Sequence, residues 1–378
     1  MRNPFEYGGV VSGDAFCNRQ KELADLLRAM ENGETLFLFS ERRYGKTSLV
    51  RTALRKLPRK NFISAYVDLW PTDTEAAFVA VIAKAITESM SSSMEKALES
   101  AKKFFGSLSP SVTVDEGGNP SLTFGLAKHA RIEPILEEVL ETPARISSKN
   151  GPRVVIVLDE FQQILEYGSD RVERTLRSVI QNHRGVSYVF LGSRKHLIQK
   201  MVLDRSRPLY RAGAHYPLGP IAEKHWQPFV QRRFAHGEKR IAEERVHEIC
   251  EMTQGHPFYT QHLCHALWEL CNEKSSVTTD MIRKAVKVLL DRESYAYTTL
   301  WESLTLPQKR FLKGLAVEAS GVKVFAGEFV SRHGLSSASN AQRAVEALLA
   351  KDVIDRDNGS FLITDRFFRL WIHSAQSA

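Results

Sequence analysis

The sequence predicts an α/β fold: a parallel sheet covered by helices on both faces, followed by an all-α segment and a winged helix. Three observations predict it. Over the first 218 residues, short apolar runs alternate with stretches whose apolar residues recur at helical spacing, as in βα units. One run, Val154-Val155-Ile156-Val157-Leu158, is apolar without a break, as a strand buried on both faces must be. From Gly219-Pro220 onward the period is helical, until a turn at Asp357-Asn358-Gly359.

In chain order, the first strand is TLFLF, residues 35–39. A helix follows with Leu49, Ala53, Leu54 and Leu57 at helical spacing, and Pro58 stops it. A strand at 63–69 and an apolar-striped helix at 76–90 come next. Within 106–125, SVTV and SLTF flank DEGGNP, which predicts a β-hairpin. A helix at 131–142 and a loop at 146–153 lead to the apolar strand 154–160. A helix at 172–183, a strand at 187–192 and a short strand at 215–218 complete this part. Helices are then expected at 225–235, 242–253, 257–271 and 279–290. Three more at 307–318, 325–333 and 337–351, followed by two short strands around Asn358, outline a winged helix. Domains are therefore expected at 1–218, 219–295 and 296–378.

A chain of 378 residues suits two or three domains, and 43% hydrophobic with 25% charged residues is ordinary globular composition. No apolar run of about 18 residues predicts a membrane span, and MRNPFEYGGV lacks the pattern of a signal peptide. Cys17, Cys250, Cys264 and Cys271 do not suggest a disulfide framework, so a reducing cytoplasm is expected. The net charge of +8 is uneven. Residues 41–60 hold eight Lys/Arg against one Glu, and 193–245 hold twelve against five acids, +7 in each case. Residues 300–378 carry ten against eight, only +2. Such local excess suits a polyanionic ligand: nucleotide phosphates, nucleic acid or an acidic partner.

The chemistry lies in two stretches. Gly45-Lys46-Thr47, between a strand and an amphipathic helix, is the end of a phosphate-binding loop, although Ser40 stands where the pattern has its first glycine. Gly45 permits close backbone approach to a triphosphate, and N–H groups at the helix start point donors at it. Lys46 is expected on the β- and γ-phosphates and Thr47 on Mg²⁺. Downstream, the apolar strand ends in Asp159-Glu160, where open α/β sheets bind ligands. Asp159 would serve the Mg²⁺ shell and Glu160 would orient the attacking water. No N/T-K-x-D guanine reader is present, which favours ATP or ADP over GTP.

These features resemble the archaeal-type ATPase family, AAA+/STAND-related P-loop NTPases similar in layout to origin-recognition ATPases. Asn3-Pro4-Phe5 and the run from Phe16 through Arg19 to Leu23 match the family's F-x-x-R-x-x-E-L opening. Ser40 to Leu49 match its G-P-R-R-x-G-K-T-S-L loop except at Ser40 and Glu41. Leu158 to Gln162 match its Walker B, and Phe190 to Ser193 its sensor 1 strand. The resemblance implies a three-layer P-loop core with a helical lid and winged helix. It implies nucleotide contacts from Arg19, Ser40, Arg42, Arg43, Tyr44, Gly45, Lys46, Thr47 and Ser48. It puts Ser193 near the γ-phosphate and Pro257, in Gly255-His256-Pro257, near the nucleotide. Arg207 and Arg211 become arginine fingers for a neighbouring copy in a homo-oligomer, with Arg194 competing. No arginine at the start of the lid helix serves as sensor 2.

The His and Cys residues between 256 and 271 contain no CxxC pair, and Cys264 and Cys271 read as small core residues rather than zinc ligands. Duplex DNA is expected either at the winged helix, whose third helix offers Arg343 and Lys351, or along the basic 193–245 region. The functional expectation is an Mg²⁺-dependent ATPase coupling nucleotide state to lid and winged-helix movement. A slow nucleotide-gated switch and a DNA-binding regulator are the alternatives.

Overall fold

The protein is described from a computed structural model covering residues 2–9, 17–91, 93–114, 117–127, 130–147, 151–319, 321–357 and 359–377. Phe16 of the opening motif, Asp115 and Glu116 of the first hairpin turn, residues 148–150 of the loop before the apolar strand, and Asn358 lie outside them. The chain divides into two compact units. A sheet unit comprises residues 20–40 and 46–218, and a helical unit comprises 1–19, 41–45 and 219–378.

The sheet unit runs α1 (Gln20–Asn32), β1 (Thr35–Phe39), α2 (Lys46–Lys56), β2 (Phe62–Asp68), α3 (Glu75–Met90), α4 (Met94–Phe104), β3 (Ser109–Val114), β4 (Pro120–Gly125), α5 (Ile132–Ile146) and β5 (Arg153–Asp159). It continues through a 3-10 turn at Phe161–Tyr167 into α6 (Arg171–Ile180), β6 (Val186–Gly192), α7 (Lys195–Leu203) and β7 (Ala214–Pro217). Five strands form a sheet in the order β2-β5-β6-β1-β7, and every described pairing in it is parallel. The unbroken apolar runs are explained by this order. β5 and β6 are central, and all of Val154–Leu158 and Val186–Leu191 are buried. β2 and β7 are the edges, and their burial is only partial. β3 and β4 pair antiparallel as a separate hairpin. Thr74 caps α3 by accepting from the Ala77 N–H at 3.2 Å.

The helical unit contains α8 (Glu223–His236), α9 (Glu243–Thr253), α10 (Pro257–Leu270), α11 (Thr279–Glu302), α12 (Leu306–Val317), α13 (Gly327–Arg332), α14 (Ala338–Ala350), β8 (Ile354–Asp357), β9 (Ser360–Ile363) and α15 (Arg366–Ser377). β8 and β9 pair antiparallel, giving three helices and a hairpin, the winged-helix outline. One apolar core serves the whole unit, from Trp226 and Phe234 to Phe311, Phe367 and Phe368. Phe5 is buried in it against Phe229 and Phe234, so the N-terminal motif belongs to this unit. The boundary expected at 295 falls inside α11, which runs on to Glu302. Leu289, Leu290 and Tyr297 are buried along it. Among the described residues no helix is long and apolar enough to cross a membrane.

Candidate functional site

The sheet unit gathers its polar residues where β1, β5 and β6 end and α2 begins. Ser40 continues the line of β1 and donates its N–H to the Gly192 carbonyl at 3.3 Å. Lys46 opens α2, where the helix dipole favours an anion. Its Nζ donates to Ser40 Oγ at 3.1 Å and to the Ser40 carbonyl at 3.3 Å, and both residues are buried. Ser48, one turn in, is buried with them, and its carbonyl accepts from Thr52.

Thr47 Oγ1 donates to Asp159 Oδ2 at 2.9 Å. Asp159 is 5% exposed. Its Oδ1 accepts from the Glu160 N–H at 2.9 Å and its Oδ2 from the Tyr66 hydroxyl. Burial, then the charge of Asp159, holds the Tyr66 phenol well above its ordinary range, so it stays a donor. Glu160 adopts a left-handed backbone, φ 52°, as the chain turns off β5. Its Oε2 accepts from Ser193 Oγ at 2.6 Å and from Gln162 Nε2 at 2.5 Å. This crowding leaves no room for a side chain at Gly192, where a Cβ would lie 2.1 Å from Ile198 Cγ1 and 3.0 Å from Gln162 Oε1. The Thr47 hydroxyl and Asp159 carboxylate are hard oxygen donors, and their adjacency fits Mg²⁺.

The other residues expected to contact the nucleotide lie in the helical unit. Arg43 and Gly45 take left-handed conformations, φ 60° and 84°. A Cβ on Gly45 would meet nothing within 4 Å, so glycine is favoured there by conformation and not by space. Arg42 pairs with Asp352 at 3.2 Å, the Arg43 guanidinium lies 4.3 Å from the Phe258 ring centre, and the Tyr44 ring meets His256 edge-on. Arg19, also left-handed, donates to the Gly219 carbonyl at 2.7 Å. Buried His256 caps α10 by accepting from the Phe258 N–H at 3.2 Å, with Pro257 as the first helical residue.

The structure thus brings Ser40, Lys46, Thr47, Ser48, Asp159, Glu160 and Ser193 into one unit, and Arg19, Arg42, Arg43, Tyr44, Gly45 and Pro257 into the other. Arg207 forms an ion pair with Glu173, which is 2% exposed. Burial pushes the Glu173 carboxyl up and Arg207 pulls it down. Arg211 is exposed beside the Tyr210 ring. Arg194 reaches Glu166 at 4.0 Å. Sequence reading missed Tyr66 and Gln162. Only the β2–β5 register, Asp68 opposite Asp159, shows that Tyr66 stands beside the carboxylate.

Comparison with known proteins agrees with this fold. No curated protein matches the chain. Over 98% of its length the chain is similar in fold to a Walker-type ATPase of Pyrococcus abyssi, with 15% identity, TM-score 0.64 and 99% of that chain covered. The ORC2 protein of Aeropyrum pernix, in ADPNP–ADP complexes, is similar over all of the chain and 99% of its own, with 13% identity and TM-score 0.55. The ORC1 protein of the same organism, in complex with DNA, is similar over 97% of this chain and 94% of that one, with 15% identity and TM-score 0.50. Residues 295–374 match a probable winged helix domain. Residues 16–263, more than half of the chain, match the ATPase domain found predominantly in Archaea, and the protein belongs to that family.

Proposed function

We propose that the protein binds ATP or ADP with Mg²⁺ and hydrolyses ATP, coupling nucleotide state to movement of the lid and winged helix in the AAA+/STAND manner. The observation that carries this reading is the hydrogen-bonded chain Thr47–Asp159–Glu160–Ser193. It supplies a hydroxyl and carboxylate for the metal, a second carboxylate for water, and a hydroxyl beside it. Lys46, resting on Ser40, is the cation for the β- and γ-phosphates. When bound, Mg²⁺ neutralises charge developing on the phosphates. The ADPNP–ADP complexes of the similar ORC2 protein support nucleotide binding. Because Arg207 is engaged with Glu173, exposed Arg211 is the better donor in trans within a homo-oligomer. Duplex DNA is the proposed macromolecular partner, through exposed Arg343 of α14 or the basic 193–245 region, and the DNA complex of the similar ORC1 protein supports it.

The test is ATP hydrolysis with and without duplex DNA, for the wild type and Glu160→Gln. The wild type is expected to turn over, and the variant to bind nucleotide but lose roughly 100-fold or more in rate. Equal rates would overturn the assignment of Glu160. A slow switch is the second reading, favoured by the two donors on Glu160 Oε2, which occupy the oxygen a water would use. Tight nucleotide retention with barely measurable wild-type turnover supports that reading in the same assay.

A further inference from the structure

The phosphate loop carries an acid where an anionic ligand is expected. Glu41 lies four residues before Gly45 and is 8% exposed. A carboxylate so placed repels phosphate unless its charge is cancelled, and in low-dielectric surroundings the repulsion is strong. Its cationic partner lies at the far end of the chain. Arg366, the first residue of α15 and 2% exposed, approaches Glu41 Oε2 at 2.9 Å and donates to Oε1 at 3.1 Å. The Tyr44 hydroxyl donates to Oε1 at 3.0 Å. Arg366 is itself aimed by the wing, donating through Nη1 to the carbonyls of Ile363 at 2.6 Å and Thr364 at 3.3 Å. Burial pushes the Glu41 carboxyl up, while Arg366 and then the Tyr44 hydrogen bond pull it down.

The surroundings continue the contact. Tyr44 meets His256, His256 meets Tyr259, and Tyr259 meets Phe367, the residue after Arg366, with ring centres 4.3, 4.6 and 5.0 Å apart. The segment 41–44 is therefore gripped by α10 and α15 through both a buried ion pair and a file of rings. A buried pair of this kind is costly to desolvate and adds little net stability, while loss of one partner leaves the other charge buried without that counter-ion.

We propose that Arg366 is a positioning residue of the phosphate loop, acting through Glu41. It cancels the carboxylate's charge and holds the loop's middle open to an anionic nucleotide, so that nucleotide affinity is set in part by the winged helix. This rests on the nucleotide-binding reading given above. Arg366→Ala removes this cation from Glu41 and weakens nucleotide binding. Glu41→Gln removes the repulsion at its source and does not. In Arg366→Ala with Glu41→Gln, the loss is largely repaired. A purely structural pair predicts instead that each single variant lowers melting temperature while leaving affinity alone.

The experiment measures binding of a fluorescent ATP analogue with Mg²⁺, alongside melting temperature of the nucleotide-free full chain. Arg366→Ala is expected to raise Kd roughly tenfold, Glu41→Gln to bind at least as tightly as wild type, and the double variant to return to within about threefold of it. Should Arg366→Ala not fold, Arg366→Gln carries the test, because it removes the charge but keeps a long polar side chain with an N–H donor. Weaker binding by Arg366→Gln beside undiminished binding by Glu41→Gln upholds the proposal. Unchanged affinity in every folded Arg366 variant, or weaker binding by Glu41→Gln, overturns it. A wild type that binds no nucleotide would instead sink the nucleotide-binding reading.

Discussion

The flanks and the middle of residues 40–46 are held by different physics. Ser40, Lys46 and Thr47 are fixed by the end of a buried strand, the start of a helix and hydrogen bonds to residues of the same unit. Glu41 to Tyr44 are fixed by an ion pair, a surface salt bridge and ring contacts with residues more than 200 positions later in the chain. The flanks obey a local rule that any phosphate loop must obey. The middle is free of that rule, and this chain has used it to attach the loop to its lid and wing.

Lys46→Ala attacks the flank and has the largest expected effect. Deleting the one cation that opens α2 should weaken ATP binding roughly 100-fold, with little change in melting temperature. Retained affinity in isothermal titration would break the contrast, because binding would then rest on the middle. A second test reads the wall behind the middle. His262 stacks on Tyr7 at 3.9 Å and touches Phe258 and Phe367. Burial, then the charges of His265, Arg292 and Arg43, lowers its pKa to about 4. The unfolded chain accepts that proton near 6.5, so stability present above pH 6.5 is lost as the pH falls toward 4. His262→Gln should flatten this part of the melting-temperature profile, by about 1 kcal/mol once partial exposure is allowed for. Superimposable profiles would show that the histidine titrates freely. The smallest effect is expected for Arg42→Ala. Its ion pair with Asp352 is half exposed on the arginine side, so removal should cost about 0.5 kcal/mol or less in urea unfolding. A larger loss would show that the surface bridge, and not the buried pair, holds the middle.

The same contrast explains what was legible in the sequence. The strands at 35–39, 154–160 and 187–192 were readable because burial on both faces demands unbroken apolar runs. The wing was readable because a tight turn demands Asn-Gly. Helices α1, α4, α7 and α15 went unassigned, although Leu26 and Met30 in α1 and Ala97 and Ala101 in α4 recur at helical spacing and are buried. Asp159 and Glu160 could be picked out because chemistry follows the end of a buried strand. Tyr66 could not, since its role depends on β2 pairing with β5. Nor could Arg366, which reads as one arginine among many until the fold closes a separation of 325 residues.

Helix α11 carries a last consequence, for how this protein can be recombined. It runs unbroken from Thr279 to Glu302 between its caps Thr278, whose side chain accepts from the Met281 N–H, and Ser303. The match to a winged helix domain begins at 295, inside it. A graft made at 295 would splice two half-helices and require Leu289, Leu290 and Tyr297 to come from compatible parents. Junctions at Thr278 or Ser303 would exchange whole elements. Lineages that trade their wings should therefore carry their crossovers at those two caps.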